Sequence, residues 1–248
     1  MNFSHILSYR RVALQFSGGK DSLACLLLLR DAGMLDAVTV YWLNTLDGCP
    51  ETLGIVAWAR AFIPHFVEVR QDAPAWRREF GDPVDLVPAS AHALGVAYGL
   101  GQRKLVNRFD CCWHNLMVPM HTRMLADRVD LVIRGTKVAD TGAVPAEGPQ
   151  PDYDILLPLR DWSHQQVFDF LDARGAPSNP IYEHASGISA PECMTCTAWW
   201  DDGKAAYLRA RHPGRLSEYR ASLAQVRGAL RAHLADLDRE LEVCDGMG

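Results

Sequence analysis

The sequence predicts an α/β fold: a parallel sheet flanked by helices, with a helical C-terminal appendage. Three observations lead there. Short β-rich apolar segments at 12–16, 38–43, 66–69 and 130–134 alternate with helix-like stretches at 20–33, 51–62 and 115–128, the rhythm of parallel strands joined by helical crossovers. The first strand breaks at Ser17-Gly18-Gly19 and restarts as an apolar helix. From about 203 to 241, leucines recur among many charges at a spacing that suits amphipathic helices. With 248 residues and 48% hydrophobic content, the chain can bury one substantial core.

Taken in order, a short apolar patch precedes Arg10 and Arg11, the wrong order for a secretory signal, so a cytoplasmic location is expected. The helix carrying Leu23 to Leu29 is too short an apolar run to cross a bilayer and reads as packed on the sheet. Ligands of parallel sheets sit beyond the carboxyl ends of the strands, so the loops after Phe16, Trp42 and Ile133 are expected to converge. The stretch 135–154, with Gly142, Pro145, Gly148, Pro149 and Pro151, reads as a long loop over a ligand. After an apolar segment at 155–159, Asp161 or Ser163 caps a helix running to about Arg174. Residues 1–200 form the nucleotide-binding domain on this reading, and 201–248 a tail that packs on the core or on a second copy. The net charge of -5 gives no basic footprint, so a nucleic-acid acceptor is not indicated, and no membrane contact is expected.

Ser17-Gly18-Gly19-Lys20-Asp21-Ser22 is the segment richest in chemistry. A strand–glycine–helix junction presents backbone N–H groups to an anion, with the helix dipole adding attraction. Ser17 and Ser22 add hydroxyl donors, and Lys20 a mobile positive charge. Asp21 would repel bare phosphate, which implies an accompanying divalent cation or a donor partner. The spacing is not that of the Walker loop.

Seven cysteines in a chain with no export signal favour metal ligation or redox chemistry over disulfides. Cys111-Cys112 and Cys193-x-x-Cys196 supply four thiols in two pairs, suited to zinc or an iron–sulfur cluster alike. Adjacent cysteines both ligate only from a bent local backbone. Cys25 and Cys49 read as packing residues.

The loop resembles the pyrophosphatase loop of the adenine nucleotide alpha-hydrolase superfamily, a Rossmann-like group whose members typically split ATP between the alpha and beta phosphates. Within it the chain resembles the phosphoadenosine phosphosulfate (PAPS) reductase family. The Cys-Cys pair followed by Cys-x-x-Cys is similar to the [4Fe–4S] signature of its adenylylsulfate branch. Asn44-Thr45-Leu46-Asp47-Gly48-Cys49-Pro50-Glu51-Thr52 is similar to Asp-Thr-Gly-x-x-x-Pro-Glu-Thr, and Arg134-Gly135-Thr136-Lys137 to a Gly-x-Arg turn. Pro158-Leu159-x-x-Trp162 and Asn179-Pro180-Ile181-Tyr182 match Pro-Leu-x-x-Trp and Asn-Pro-Leu-Tyr. The likeness implies nucleotide contacts at Ser17–Ser22, Leu43, Asn44, Thr45, Gly135 and Lys137. It implies a [4Fe–4S] cluster, with zinc as the alternative, on Cys111, Cys112, Cys193 and Cys196.

The chain departs from that pattern. Reductases of the family lack the Gly-Gly-Lys-Asp core and end in a Glu-Cys-Gly-x-His tail; here the core is intact and Cys244 follows an inserted Val243 with no histidine after it. Asn44 replaces an aspartate, and Lys137 exchanges a planar fork for a point charge. The expected function is therefore an enzyme that binds ATP with Mg2+ and adenylates a substrate in sulfur transfer, with Lys20 and Asp21 catalytic and a sulfur-donor protein as partner. The alternative is a reductase in which Cys244 attacks the sulfonucleotide, served by a thiol reductant such as thioredoxin. A second alternative is a nucleotide-binding subunit without turnover. A homo-oligomer is compatible with each.

Overall fold

The computed structural model describes residues 3–84, 86–88, 91–99, 104–141, 146–184, 192–198 and 203–246. After a 3-10 turn at Ser4–Ser8 come β1 (Val12–Gln15), α1 (Lys20–Asp31), β2 (Val38–Asn44), α2 (Pro50–Arg60), β3 (Phe66–Arg70), α3 (Ala73–Phe80) and β4 (Asp82–Val84). Next are α4 (Ala93–Ala97), β5 (Leu105–Asn107), α5 (Arg108–Cys112), a π-helical turn at Trp113–Met117, and α6 (Val118–Ala126). Then follow β6 (Leu131–Ile133), α7 (Val138–Thr141), β7 (Asp154–Leu156), α8 (His164–Asp172), a 3-10 turn at Pro180–Glu183, α9 (Lys204–Arg211) and α10 (Pro213–Cys244).

The main sheet has the order β3-β2-β1-β6-β7, every pairing parallel. Side chains alternate across it. Val12, Leu14, Val38, Val40, Leu131 and Ile133 pack with α1, α2 and α8 on one face, while Ala13, Tyr41 and Val132 meet Met120 and Met124 of α6 on the other. Both faces are covered, which is why these strands read as continuous apolar runs. The chain builds outward from β1 through β2 to β3, then returns to the other side of β1 with β6. The loops after β1 and β6 consequently flank a topological switch point, where such sheets bind ligands.

Two differences from the sequence reading stand out. The expected long loop 135–154 contains α7, and Gly148 bridges Ile155 beside β7; residues 142–145 of it lie outside the described residues. The stretch between β3 and α5, which carries no clear periodicity, forms α3, α4 and the separate parallel pair β4-β5, strands of three residues each and too short for a period to show. The cap at Ser163 is a complete capping box with Gln166.

The tail is anchored at its near end. Tyr207, Leu208 and Tyr219 pack with Cys49, Ile181 and Met194, and Val226 with Val84 and Leu105. Glu51 accepts from the Tyr207 hydroxyl and pairs with His212, and Asp47 pairs with Arg215 at 2.7 Å. Past Leu230 the helix leaves the body. Among the described residues no helix is long and apolar enough to cross a membrane.

Candidate active site

The glycine loop between β1 and α1 is locked by its own hydroxyls. Ser22 Oγ accepts from the Ser17 N–H at 3.2 Å and donates to the Gly19 carbonyl at 3.0 Å, and Ser17 Oγ accepts from the Gly19 N–H at 3.2 Å. Gly18 has φ of +81°, and a Cβ there would come within 3.0 Å of Thr52 and Val56, so the turn excludes side chains on two grounds. The N–H groups of the first turn of α1 have no intrahelical acceptors; that of Lys20 is met by the Tyr182 hydroxyl at 3.0 Å. The Asn179 side chain, bonded to Thr52 and to the Ile181 N–H, holds the Pro180–Glu183 turn that delivers Tyr182.

Four charges sit where the loops after β1 and β6 meet. Asp21 accepts from Lys20 Nζ at 2.7 Å through one oxygen and from Lys137 Nζ at 2.8 Å through the other, and Lys137 also pairs with Asp140. The approach is close because residue 135 is glycine: a Cβ there would lie 2.7 Å from the Asp21 carbonyl carbon. Burial lowers the Lys20 pKa despite Asp21. Burial also acts against Lys137, but the hydrogen bonds it donates to Asp140 and Asp21 outweigh it and hold that ammonium above its ordinary value. The mobile charge expected at Lys20 is corrected here, because Lys20 is buried with its Nζ 5.8 Å from the Phe168 and Tyr182 rings. Asp140 of α7 was missed; its signal is its i,i+3 spacing from Lys137, which directly precedes that helix.

Beside the quartet opens a cavity of about 760 Å³, a size suited to a nucleotide-scale ligand. Ser17, Asp21, Ser22, Gly135 and Asp140 line one end, with Leu43 on the wall. The other end is aromatic and polar: Trp113, Met117, His121, Arg134 and Tyr153. The Tyr153 hydroxyl lies 3.0 Å from His121 Nδ1 and accepts from Arg134 at 3.2 Å, while Arg134 Nε is buried with no partner. Of this polar wall only Arg134 falls in a segment that the sequence singles out. Asn44 and Thr45 do not line the cavity: Asn44 bonds Glu68 and the Leu46 N–H, and Thr45 is buried beneath the Glu192 carbonyl.

Leu46 follows them with φ of 58°, a conformation that L side chains adopt at a cost. It stands where the resembling motif has glycine. Asp47 then forms a buried hub, its side chain fully enclosed, taking Arg77 at 2.6 Å, Arg215 at 2.7 Å and the Thr195 hydroxyl at 2.7 Å. The hub ties the β2–α2 loop, α3 and α10 to the Cys193–Cys196 segment.

The four paired cysteines are all free thiols, and both pairs approach the same cavity. Trp113, next to Cys112, and Glu192, next to Cys193, line it. Cys111 senses Cys112 and Cys196 electrostatically, and Cys193 senses Cys196. Burial pushes the Cys111 thiol up to about 12 and Cys112 and Cys193 upward as well, against the pull of Arg77 on Cys111 and Cys193. The π-helical turn directly after Cys112 supplies local bending of the kind that adjacent ligands need. Among the described residues, however, no three His, Cys, Asp or Glu side chains form a group that could hold a metal ion. The donor chemistry fits a soft metal centre and the buried Arg77 offsets thiolate charge, but the sulfurs are not drawn to ligand spacing. Cys25 and Cys49 are buried among apolar neighbours. Cys244 lies exposed at the tip of α10, 18 residues or about 27 Å of helix beyond Val226, the last buried position.

No protein-family model and no curated protein matches the chain. Among solved structures, it is similar to the crystal structure of phosphoadenylyl-sulfate (PAPS) reductase from Candida auris in a phosphate complex, with a TM-score of 0.54 and 14% sequence identity over 77% of this chain and 87% of that one. The five-stranded parallel sheet, its helices and the C-terminal helix therefore constitute a PAPS-reductase-like fold.

Proposed function

We propose that the chain is an enzyme of sulfur metabolism that binds ATP with Mg2+ at the Ser17–Ser22 loop, adenylates a substrate and releases pyrophosphate. The observation that carries this reading is the intact loop at the switch point with the quartet Lys20, Asp21, Lys137 and Asp140 against it. The quartet is neutral as it stands, so a bare anion gains little from it. A polyphosphate arriving with a divalent cation suits it by exchange of partners: the cation takes the carboxylates and the freed ammonium groups take phosphate oxygens. A substrate oxygen then attacks the α-phosphorus, the bond to the α–β bridging oxygen breaks, and pyrophosphate leaves with that electron pair. Lys20, Lys137 and the first-turn N–H groups of α1 stabilise the charge that develops. Asp21→Asn is expected to lower pyrophosphate release from ATP by about 100-fold or more; absence of release from the parent chain with ATP, Mg2+ and candidate acceptors would refute the reading.

Cys111, Cys112, Cys193 and Cys196 would hold a [4Fe–4S] cluster, or zinc in the alternative. Such a cluster, when bound, supplies an electrostatic or sulfur-carrying centre beside the nucleotide, with a sulfur-donor protein as partner. Anaerobic purification with iron and sulfide analysis tests it, and a colourless protein with stoichiometric zinc replaces the cluster with a zinc site. The likeness to a solved PAPS reductase favours a second reading, thiol-dependent reduction of a sulfonucleotide. It expects sulfite from adenylylsulfate or its 3′-phosphorylated form with a thiol reductant, and loss of that activity in Cys244→Ser. The place of Cys244 at the outer end of α10 weighs against it.

A further inference from the structure

A second cavity, of about 580 Å³, lies between α3, the β4-β5 pair and α10, and shares no lining residue with the one beside the glycine loop. Its size suits a small-molecule ligand. Arg77 lines it and is only 7% exposed. Nη2 of that guanidinium is engaged by Asp47 at 2.6 Å and Thr195 at 3.2 Å. Nε and Nη1 have no partner among the described residues, yet neither is sealed away, so both are open to the cavity. Two further cations face the same space. Arg78 pairs with nothing among the described residues, and Lys104 Nζ meets only the Glu79 carbonyl, at 2.6 Å, which leaves two of its N–H groups. Gly81 brings them together: it has φ of +115°, and a Cβ there would lie 2.5 Å from the Lys104 carbonyl, so only glycine lets the end of α3 touch residue 104. Carboxylates are present but fewer. Glu218 is held by Arg215 at 2.6 Å, and Arg215 also holds Asp47. Arg77, Arg78, Lys104 and Arg215 thus face Asp47, Asp82 and Glu218, with one positive charge in excess among the described residues.

We propose that this cavity binds a tetrahedral oxyanion, the phosphate or sulfate group of a small molecule, across Arg77, Arg78 and Lys104. Leaving guanidinium donors of a buried arginine unpartnered is costly, and an oxyanion satisfies them with charge-assisted hydrogen bonds. The two guanidinium groups offer planar forks to its oxygens, and Lys104 adds a point charge. Ser222 of α10 lines the same wall and supplies a neutral hydroxyl donor. A bare oxyanion fills only a small part of the space, so room remains for an organic body between α3 and α10. Because Ser222 belongs to α10 while Arg77 is bonded to Thr195, an occupant ties the tail to the Cys193–Cys196 segment. The site is separate from the glycine loop and does not rest on the adenylation reading.

Nuclear magnetic resonance of the full nitrogen-15-labelled chain, titrated with inorganic phosphate at constant ionic strength, tests this directly, because it reads the arginine Nε–H groups of α3 separately from the amides of the glycine loop. Saturable shifts at Arg77, Arg78 and Ser222 are expected, with a Kd of about 1 mM or tighter. Arg78→Ala/Lys104→Ala is expected to weaken binding at these signals tenfold or more with unchanged circular dichroism, and Arg78→Glu, a change at an exposed position, to abolish it, while the response of Ser17–Ser22 stays as in the parent. AMP is the ester probe: tighter binding than phosphate at the α3 signals identifies an ester as the ligand, and equal affinity a free oxyanion. Shifts confined to Ser17–Ser22, shifts at α3 that grow without saturating, or unchanged affinity in Arg78→Glu would each overturn the proposal.

Discussion

Asp21 stands between Lys20 and Lys137 and so sets the resting charge beside the glycine loop, while Asp47 does similar work in a fully enclosed position. Asp47 is fully enclosed and faces Arg77, Arg215 and Thr195. Removing it leaves Arg77 buried without its carboxylate, so Asp47→Ala is expected to cost about 3–5 kcal/mol in denaturant unfolding. Leu46 invites the opposite experiment. Its φ of 58° is strain that glycine does not feel, and its side chain is 46% exposed, so little packing is lost on removal. Leu46→Gly is expected to stabilise the chain by up to about 1 kcal/mol, and a clear loss in thermal denaturation would show that the side chain holds the loop. At this scale residue types were legible in the sequence and their partners were not. Lys20 belonged visibly to a glycine loop at a strand–helix junction, but its burial beside Phe168 and Tyr182 comes from segments nearly 150 residues away or more. Asp140 carried only its i,i+3 spacing from Lys137 as a signal, and the meeting of His121, Tyr153 and Arg134 is a long-range assembly.

Among the elements, the junction of β6 with α1 leaves no room for a side chain. A methyl at residue 135 would meet backbone atoms of Asp21 and Ser22 below 3.0 Å, and backbone cannot swing aside as a flexible side chain can. Gly135→Ala is expected to destabilise by about 1–3 kcal/mol and to weaken ATP binding measured by calorimetry by tenfold or more. The anchor of α9 and α10 is sensitive to acid instead. Burial raises the Glu51 pKa, but hydrogen bonds from Tyr207 and His212 outweigh it and leave the carboxyl below its ordinary value. Its stabilisation is therefore complete above the unfolded value of about 4.3 and is lost as pH falls through the lower folded value. Hydrogen exchange at Tyr207 to His212 is expected to accelerate below about pH 4 relative to the rest of the fold, and Glu51→Gln should flatten that dependence. Strands β1, β2, β3 and β6 and helices α1, α2 and α8 were readable from their apolar runs, as was the Ser163 cap. α3, β4, α4, β5 and α7 were not, because their formation rests on neighbours rather than on their own pattern.

Across the whole molecule, a ligand seated where the loops after β1 and β6 meet would make binding and folding one equilibrium. ATP with Mg2+ at about 100 times its Kd is expected to add roughly 2.7 kcal/mol to stability, seen as a rise in Tm that Asp21→Asn abolishes; an unchanged Tm at that saturation would contradict binding at this loop. The parallel architecture was legible because both faces of its strands are apolar, whereas the sheet order, with β6 beside β1, is a choice no local segment records. That order has a mechanical corollary. β1 is gripped by hydrogen bonds along both flanks, while β3 and β7 have a neighbour on one side only. Fraying that begins at the rims must cross two strands before it loosens the glycine turn, so the anion cradle inherits the durability of the most sheltered strand in the protein.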